Sequence, residues 1–257
     1  MKSYFLFPLL ILFSALPVTA QSTSEAVADL LLKAEKQMEE LDESGALESY
    51  LNVLELDPEN YEALWNASLL YSTIGFRFDN KNDQEAYFER AIELAEKSLE
   101  YHPDKGEPYY VMAVAKGRMA NLVRVRERID LGHKIEEYIV KALDRMPEHA
   151  PSWHLYGVWQ SEVANVTRAE RMAARFISGG LPDGSDEKAE EFLKKAMELD
   201  PESIITRIDL ARHFERSGQN ERAIAVLDEL LELDLPVKSK DDPDHLEDAR
   251  KLLSDLR

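Results

Sequence analysis

A proline joint recurs along this chain and constrains its fold more than any other feature. LELDPEN surrounds Pro58, LEYHPDK Pro103, DRMPEHA Pro147, MELDPES Pro201 and LELDLPV Pro236. Proline lacks the N–H that would continue a helix and crowds the preceding turn, yet it fits where a new helix begins. Each joint therefore closes one helix and opens the next. Twelve residues before the first four prolines stand Ala46, Ala91, Ile135 and Ala189, and Ala223 lies thirteen before the last. After the joints come bulky and small residues in alternation: Leu64/Trp65, Ser68, Tyr71; Tyr109, Ala113; Trp153, Gly157; Leu210, Ala211, Phe214. Small residues at a fixed register let paired helices approach closely, and bulky ones fill the space between pairs.

This register resembles the tetratricopeptide repeat. It predicts an all-α, right-handed helical solenoid of about five helix pairs plus a C-terminal capping helix. The expected units run approximately 25–58, 59–103, 104–147, 148–201 and 202–236, in a single domain spanning 21–257. The first unit reads as helices 26–41 and 46–56 around a Ser44-Gly45 turn, and the fifth as helices 204–216 and 221–233. A last helix over 245–256 carries Leu246, Ala249, Leu252, Leu253 and Leu256 on one stripe, as a cap (245–257) needs to seal the final pair.

The three middle units are oversized. Reference positions that lie nine apart in the plain units lie 20 apart from Tyr71 to Ala91, 19 from Lys116 to Ile135 and 29 from Gln160 to Ala189. All three insertions fall between the two helices of a pair, so stacking should align them along one edge, where insertions into solenoids collect. The longest, GVWQSEVANVTRAERMAARFISGGLPDG, predicts a first helix prolonged from 153 to about 176. A turn at Gly179, Gly180 and Pro182 should follow, then a Ser185 cap.

Trp153-His-Leu-Tyr-Gly157-Val-Trp159, Glu162-Val-Ala-Asn165, Arg171-Met-Ala-Ala174, Gly179-Gly-Leu-Pro182 and the helix from Ala189 to Ala196 together resemble the regulator of microtubule dynamics family, as does Lys116-Gly117-Arg118 with its basic loop. The resemblance covers roughly residues 25 to 257. It implies a helical-repeat domain that binds other proteins. Some eukaryotic members are associated with microtubules, mitochondria and membrane contact, and lipid binding is attributed to the fold.

The N-terminus departs from that setting. MKSYFLFPLLILFSALPVTA has Lys2, an apolar run from Tyr4 to Leu16, Pro17 and small residues up to Ala20, the layout of a signal peptide (1–20) cleaved near Ala20. The chain is expected to be exported, periplasmic or secreted, the alternative being an uncleaved N-terminal membrane anchor. Tubulin binding is not expected outside the cytoplasm, so the microtubule activity is not carried over. The absence of cysteine excludes disulfides, thiolate chemistry and zinc–cysteine sites. A net charge of −19, or −20 once Lys2 is removed, opposes binding to nucleic acid and to anionic lipid surfaces.

Against that background one stretch is basic. Lys116, Arg118, Arg124, Arg126, Arg128 and Lys134 face only Glu127 and Asp130, and Arg168, Arg171 and Arg175 follow at helical spacing on the neighbouring insertion. Guanidinium groups hold carboxylates or phosphates in two-point contact, so this edge is a candidate cradle for an anion or an acidic peptide. Pairing with acids on adjacent helices is the competing account. Trp65, Tyr71, Tyr109, Tyr110, Trp153, Tyr156 and Trp159 fit the repeat core, and Tyr109 and Trp159 are kept as candidate contacts.

Catalysis finds little footing. His102, His133, His149, His154, His213 and His245 are scattered, and His149 and His154 lie five apart across Pro151, off the four-residue metal spacing. GGLPDGS lacks the Lys-Ser/Thr and the preceding strand of a phosphate loop. The triplets Asn66-Ala-Ser68 and Asn165-Val-Thr167 match the glycosylation pattern but fall inside expected helices. No catalytic residue, metal or cofactor is expected. The expected role is non-catalytic docking of a protein or peptide on the concave face or the basic edge. The alternative is carriage of an apolar molecule or lipid in the superhelical hollow.

Overall fold

The computed structural model describes residues 18–178 and 180–257. Most of the expected signal peptide, and Gly179 of the turn, lie outside them. Among the described residues the chain forms twelve α-helices and no strand. Ten make five pairs: α1 (Val18–Glu39) with α2 (Glu43–Leu56), α3 (Tyr61–Phe76) with α4 (Lys81–Tyr101), α5 (Glu107–Ala120) with α6 (Val125–Arg145), α7 (Ala150–Ala164) with α9 (Asp186–Leu199), and α10 (Ile204–Arg216) with α11 (Asn220–Glu232). α8 (Arg168–Ser178) is additional and packs on α6, while α12 (Asp242–Leu256) covers α10 and α11.

The first four proline joints share one hydrogen-bonding scheme. The residue before each proline donates its N–H four back, from Asp57 to Val53 at 2.8 Å, His102 to Ser98 at 2.9 Å, Met146 to Ala142 at 2.8 Å and Asp200 to Ala196 at 2.9 Å. Its carbonyl then accepts from the residue three ahead: Asn60, Lys105, His149 and Ser203. Asn60 and Ser203 go on to cap the next helix through the Ala63 and Thr206 amides.

Pairs close through the small residues. Ala46, Ala91, Ala189 and Ala223 are fully buried, and Ser68 donates its hydroxyl to the Ala91 carbonyl at 2.8 Å. Ile135, at the same register, is 5 % exposed. The core runs as a chain of clusters from Tyr50 and Leu64 through Met112, Ile139 and Trp159 to Ile208 and Leu227.

Several boundaries differ from the sequence expectation. Ser44 and Gly45 lie inside α2, because Asp42 caps the helix by accepting from the Gly45 amide at 3.1 Å. The turn sits instead at Leu41, whose φ is +58°. α12 starts at Asp242, before His245, with Asp242 accepting from the Lys238 and Ser239 amides at 2.7 and 2.8 Å. The prolonged helix 153–176 is broken into α7 and α8. Thr167 and Glu170 form a reciprocal box, Thr167 N–H to Glu170 Oε2 at 3.1 Å and Glu170 N–H to Thr167 Oγ1 at 3.3 Å, which starts a new helix. Asn165-Val-Thr167 therefore lies at an interhelical break and not inside a helix. Its Asn165 amide is already engaged, donating to the Ser161 carbonyl and to Asp186.

The insertions take two forms. The first two give second helices of 21 residues in α4 and α6, against 13 or 14 in α2, α9 and α11. The third supplies α8 and the return segment to Ser185, and it meets the second. His133 Nε2 donates to the Gly180 carbonyl at 3.2 Å, and α8 lies against α6.

Candidate functional site

The return segment after α8 is folded tightly onto α7. Arg171 donates to the Val163 carbonyl at 2.7 Å and to the Pro182 carbonyl at 3.4 Å, and the Ser185 N–H donates to Gln160 Oε1 at 2.9 Å. At Gly184 even a methyl group would fall 2.3 Å from the Ala164 nitrogen, so only glycine lets the two backbones approach this closely. Gly180 supplies a φ of +114°. Ser185 then caps α9 through the Lys188 amide, as expected.

Leu181 and Pro182 thereby roof an apolar pocket of about 210 Å³, walled by Gly117 of α5, Ile135 of α6 and Leu155, Val158 and Trp159 of α7. Trp159, 6 % exposed, is fixed by its Nε1–H donating to the Gly132 carbonyl at 3.2 Å. Gly132 stays close to the roof, since a methyl there would lie 3.6 Å from Pro182 Cγ. Gly117 behaves differently from the helix glycines at 45, 75 and 157. A methyl group at those three would fall within 3.0 Å of a neighbour, whereas at Gly117 it meets nothing within 4 Å. Helical packing does not require this glycine, and its missing side chain keeps the pocket open.

Polar groups border the pocket at Glu162 and Arg128. Crowding around the Glu162 carboxyl pushes its pKa above the usual carboxylate range, with Arg216 and Arg118 pulling the other way. Arg128 plays a structural part. Its Nε donates to the Ala120 carbonyl at 2.8 Å and its Nη2 to the Val123 carbonyl at 3.4 Å, closing the end of α5.

The candidate bases do not form one continuous cradle. Arg118 is half-buried, lies 3.8 Å above the Phe76 ring, and feels Asp241, Asp209 and Glu162 from three other elements. Burial lowers its pKa and that of Lys116, which sits between Glu96 and Lys134. Arg128 and Arg171 serve backbone carbonyls. Arg124 and Arg126, on either side of Val125 at the start of α6, are exposed, as are Arg168 and Arg175 on α8. Among the described residues these four make no ion pair, so the acid-pairing account does not describe them. Tyr109 is tied into the joint register: its hydroxyl donates to the Pro103 carbonyl at 2.9 Å, as Trp153 Nε1 does to Pro147 at 2.8 Å. Arg145 stacks 4.3 Å from the Tyr109 ring.

Sequence reasoning missed the pocket itself and the part played by Leu181, Val158 and Glu162. The available signal was Gly117, a glycine in mid-helix without a turn to serve. Among the described residues no group of His, Asp and Glu could hold a metal, and no helix is long and apolar enough to cross a membrane.

The fold has solved counterparts. TTC0263, a thermophilic TPR protein of Thermus thermophilus, is similar with a TM-score of 0.65 at 19 % identity, over 89 % of this chain and 99 % of that one. PilF of Pseudomonas aeruginosa gives a TM-score of 0.55 at 12 % identity, over 91 % and 93 %. The chain is thus an all-α tetratricopeptide-like solenoid. Among curated relatives, regulator of microtubule dynamics protein 3 of Xenopus laevis is 26 % identical over 185 residues, 72 % of this chain and 40 % of the relative. The Bos taurus protein of that name is 26 % identical over 232 residues, 89 % of this chain and 49 % of its own. The chain spans about half the length of these relatives or less. A family profile described as Regulator of microtubule dynamics protein 1-3 matches residues 26–257, and the chain belongs to that family.

Proposed function

We propose that this protein is a non-catalytic docking module, exported, whose partner is a protein or peptide that seats an apolar side chain in the pocket beneath Leu181 and Pro182. The observation that carries this reading is the pocket, opened by Gly117 of α5, walled by α6 and α7 and roofed by the return segment that the third insertion supplies. A glycine inside α5 costs about 1 kcal/mol relative to alanine, a loss that packing at this position does not explain. Close approach of a partner does.

Size separates docking from carriage. Sites that enclose a whole small molecule run to ~300–1,000 Å³, and 210 Å³ suits one bulky side chain better than a lipid. Charge selects the partner's flanks. Arg124 and Arg126 lie within one turn of Arg128, which borders the pocket, so acids beside the apolar anchor would meet unpaired guanidinium groups.

Gly117→Leu tests the reading, because its Cβ enters open space and the branched end beyond it is directed to plug the pocket that Gly117 lines. Cross-linking in the native host should recover a partner that Gly117→Leu loses while its helical circular dichroism and melting temperature stay at or above those of the parent. A partner held equally by both proteins would overturn the assignment. N-terminal sequencing of the mature protein tests export, with a start near Gln21 expected.

A further inference from the structure

α8 turns its apolar side outward. Arg171 and Ala174, three apart, face inward onto the return segment and the body, and Ala174 is 2 % exposed. Ala169, Met172, Ala173 and Phe176 follow the i, i+3, i+4, i+7 pattern of one helix face, and all four are exposed. Met172 is 62 % and Phe176 88 % exposed, the latter an exceptional value for an aromatic ring. Arg168 and Arg175 flank this stripe, exposed and without an ion pair among the described residues. The one acid on the helix, Glu170, is occupied by Thr167 at its cap.

We propose that α8 docks the protein on an anionic lipid surface, with Met172 and Phe176 entering the interface and Arg168 and Arg175 contacting headgroup phosphates. This goes beyond the partner pocket, whose residues it does not use. The net charge of −19 opposes adsorption of the solenoid as a whole, but it acts on this local contact only at short range. Charges beyond a Debye length of ~8 Å at physiological salt are screened, so the surface meets the local bases of α8 and not the acids elsewhere on the solenoid. Area argues against a second copy of the chain as occupant. An eleven-residue helix is about 16 Å long, too short to supply the ~800 Å² per partner of a stable protein interface. An isolated, protruding apolar face bordered by arginine suits a lipid interface, where no groove wall is required.

The absence of cysteine makes the test local. Full-length Ala173→Cys carries an environment-sensitive fluorophore in the stripe, and Glu229→Cys carries it on α11 as reference. With phosphatidylcholine vesicles containing phosphatidylglycerol, the Ala173 probe should shift to the blue and the Glu229 probe should not. Pure phosphatidylcholine should leave both unchanged. At about 1 kcal/mol for each arginine near an anionic surface, Arg168→Ala with Arg175→Ala should weaken partitioning roughly 30-fold. Phe176→Ser should weaken it about tenfold or more. These positions are exposed, so unchanged melting temperatures certify the fold. The proposal is overturned by a silent Ala173 probe on anionic vesicles, by equal shifts at both probes, or by partitioning indifferent to Phe176. A concentration-dependent shift without vesicles would assign the stripe to a second copy and overturn it equally.

Discussion

Arg77, at the end of α3, holds Asp241 across 164 residues of chain, Nε to Oδ1 at 2.6 Å and Nη2 to Oδ2 at 2.9 Å. The same guanidinium grips Glu43 in the first turn of α2, through Nη1 to Oε2 and Nη2 to Oε1 at 3.0 Å. One side chain thus ties the second unit to the first and to the segment that precedes the C-terminal cap. Solenoid repeats ordinarily touch only their neighbours, and this clamp links the second unit directly to the C-terminal segment.

Removing Arg77 leaves Glu43, whose side chain is 8 % exposed, without its partner. Arg77→Ala should cost about 2 kcal/mol, less than a fully buried pair because Asp241 is 28 % exposed. Calorimetry should show a melting temperature lower by about 4–8 °C. Arg77 also holds the Asp241 carboxyl below the ordinary aspartate value. A lowered folded-state pKa gives stability that is present above the unfolded value and lost as pH falls through the folded one. Acid titration of stability should therefore be shallower in Arg77→Ala than in the parent below pH ~4.

The joints at Pro58, Pro103, Pro147 and Pro201 were legible because their cause is local: a proline, a carbonyl acceptor four residues before the residue that precedes it and an amide donor three after, all within about two turns of chain. The α7–α8 break was written in the same local code, as Thr167-Arg-Ala-Glu170, but apolar spacing that continues through Val163 and Met172 obscured it. The Arg77–Asp241 contact had no such signal, since nothing local sets two charges 164 residues apart in register. The basic edge was read from composition, which cannot tell an arginine that closes a helix, Arg128, from one left in solvent, Arg124. The pocket was hidden for another reason: a side chain that is missing at Gly117 defines it.

Gly117 should be replaceable by alanine with a gain. Its position is interior to α5, and the added methyl meets nothing within 4 Å. Reduced unfolded-state freedom should stabilise Gly117→Ala by about 0.5–1 kcal/mol. Urea denaturation should show a higher midpoint at an unchanged slope. A loss of stability instead would mean that the space is needed by the folded chain itself.

Gly157 should respond in the opposite sense. A methyl group there would lie 2.6 Å from Leu193 Cγ and 3.0 Å from the Leu193 nitrogen, on the seam between α7 and α9. Flexible side chains can yield, but the Leu193 backbone cannot without moving α9. Gly157→Ala should cost about 1–3 kcal/mol through overpacking. Thermal melting compared with Gly117→Ala, an identical substitution forty residues earlier, separates the packing effect from the intrinsic helical preference for alanine.

His213 should make stability sensitive to mild acid. It is fully buried, its Nδ1 lies 3.0 Å from the Ser161 hydroxyl, and its Nε2 has no hydrogen-bond partner among the described residues. Burial lowers its pKa below the ordinary value of 6.5; Asp186 and Glu190 pull upward, and Arg216 and Arg222 downward. The native state therefore keeps the ring neutral where the unfolded chain already binds a proton. Acidification favours the state that binds more protons, so stability should be flat above the unfolded pKa and should decline as pH falls from about 6.5 through the lowered value, by up to ~1.4 kcal/mol per pH unit. His213→Gln removes the titrating group and should flatten that part of the curve even if it lowers stability at neutral pH. Chemical denaturation across this range in both proteins decides the matter: the same decline in the variant would assign the acid sensitivity to another histidine and leave His213 as packing alone.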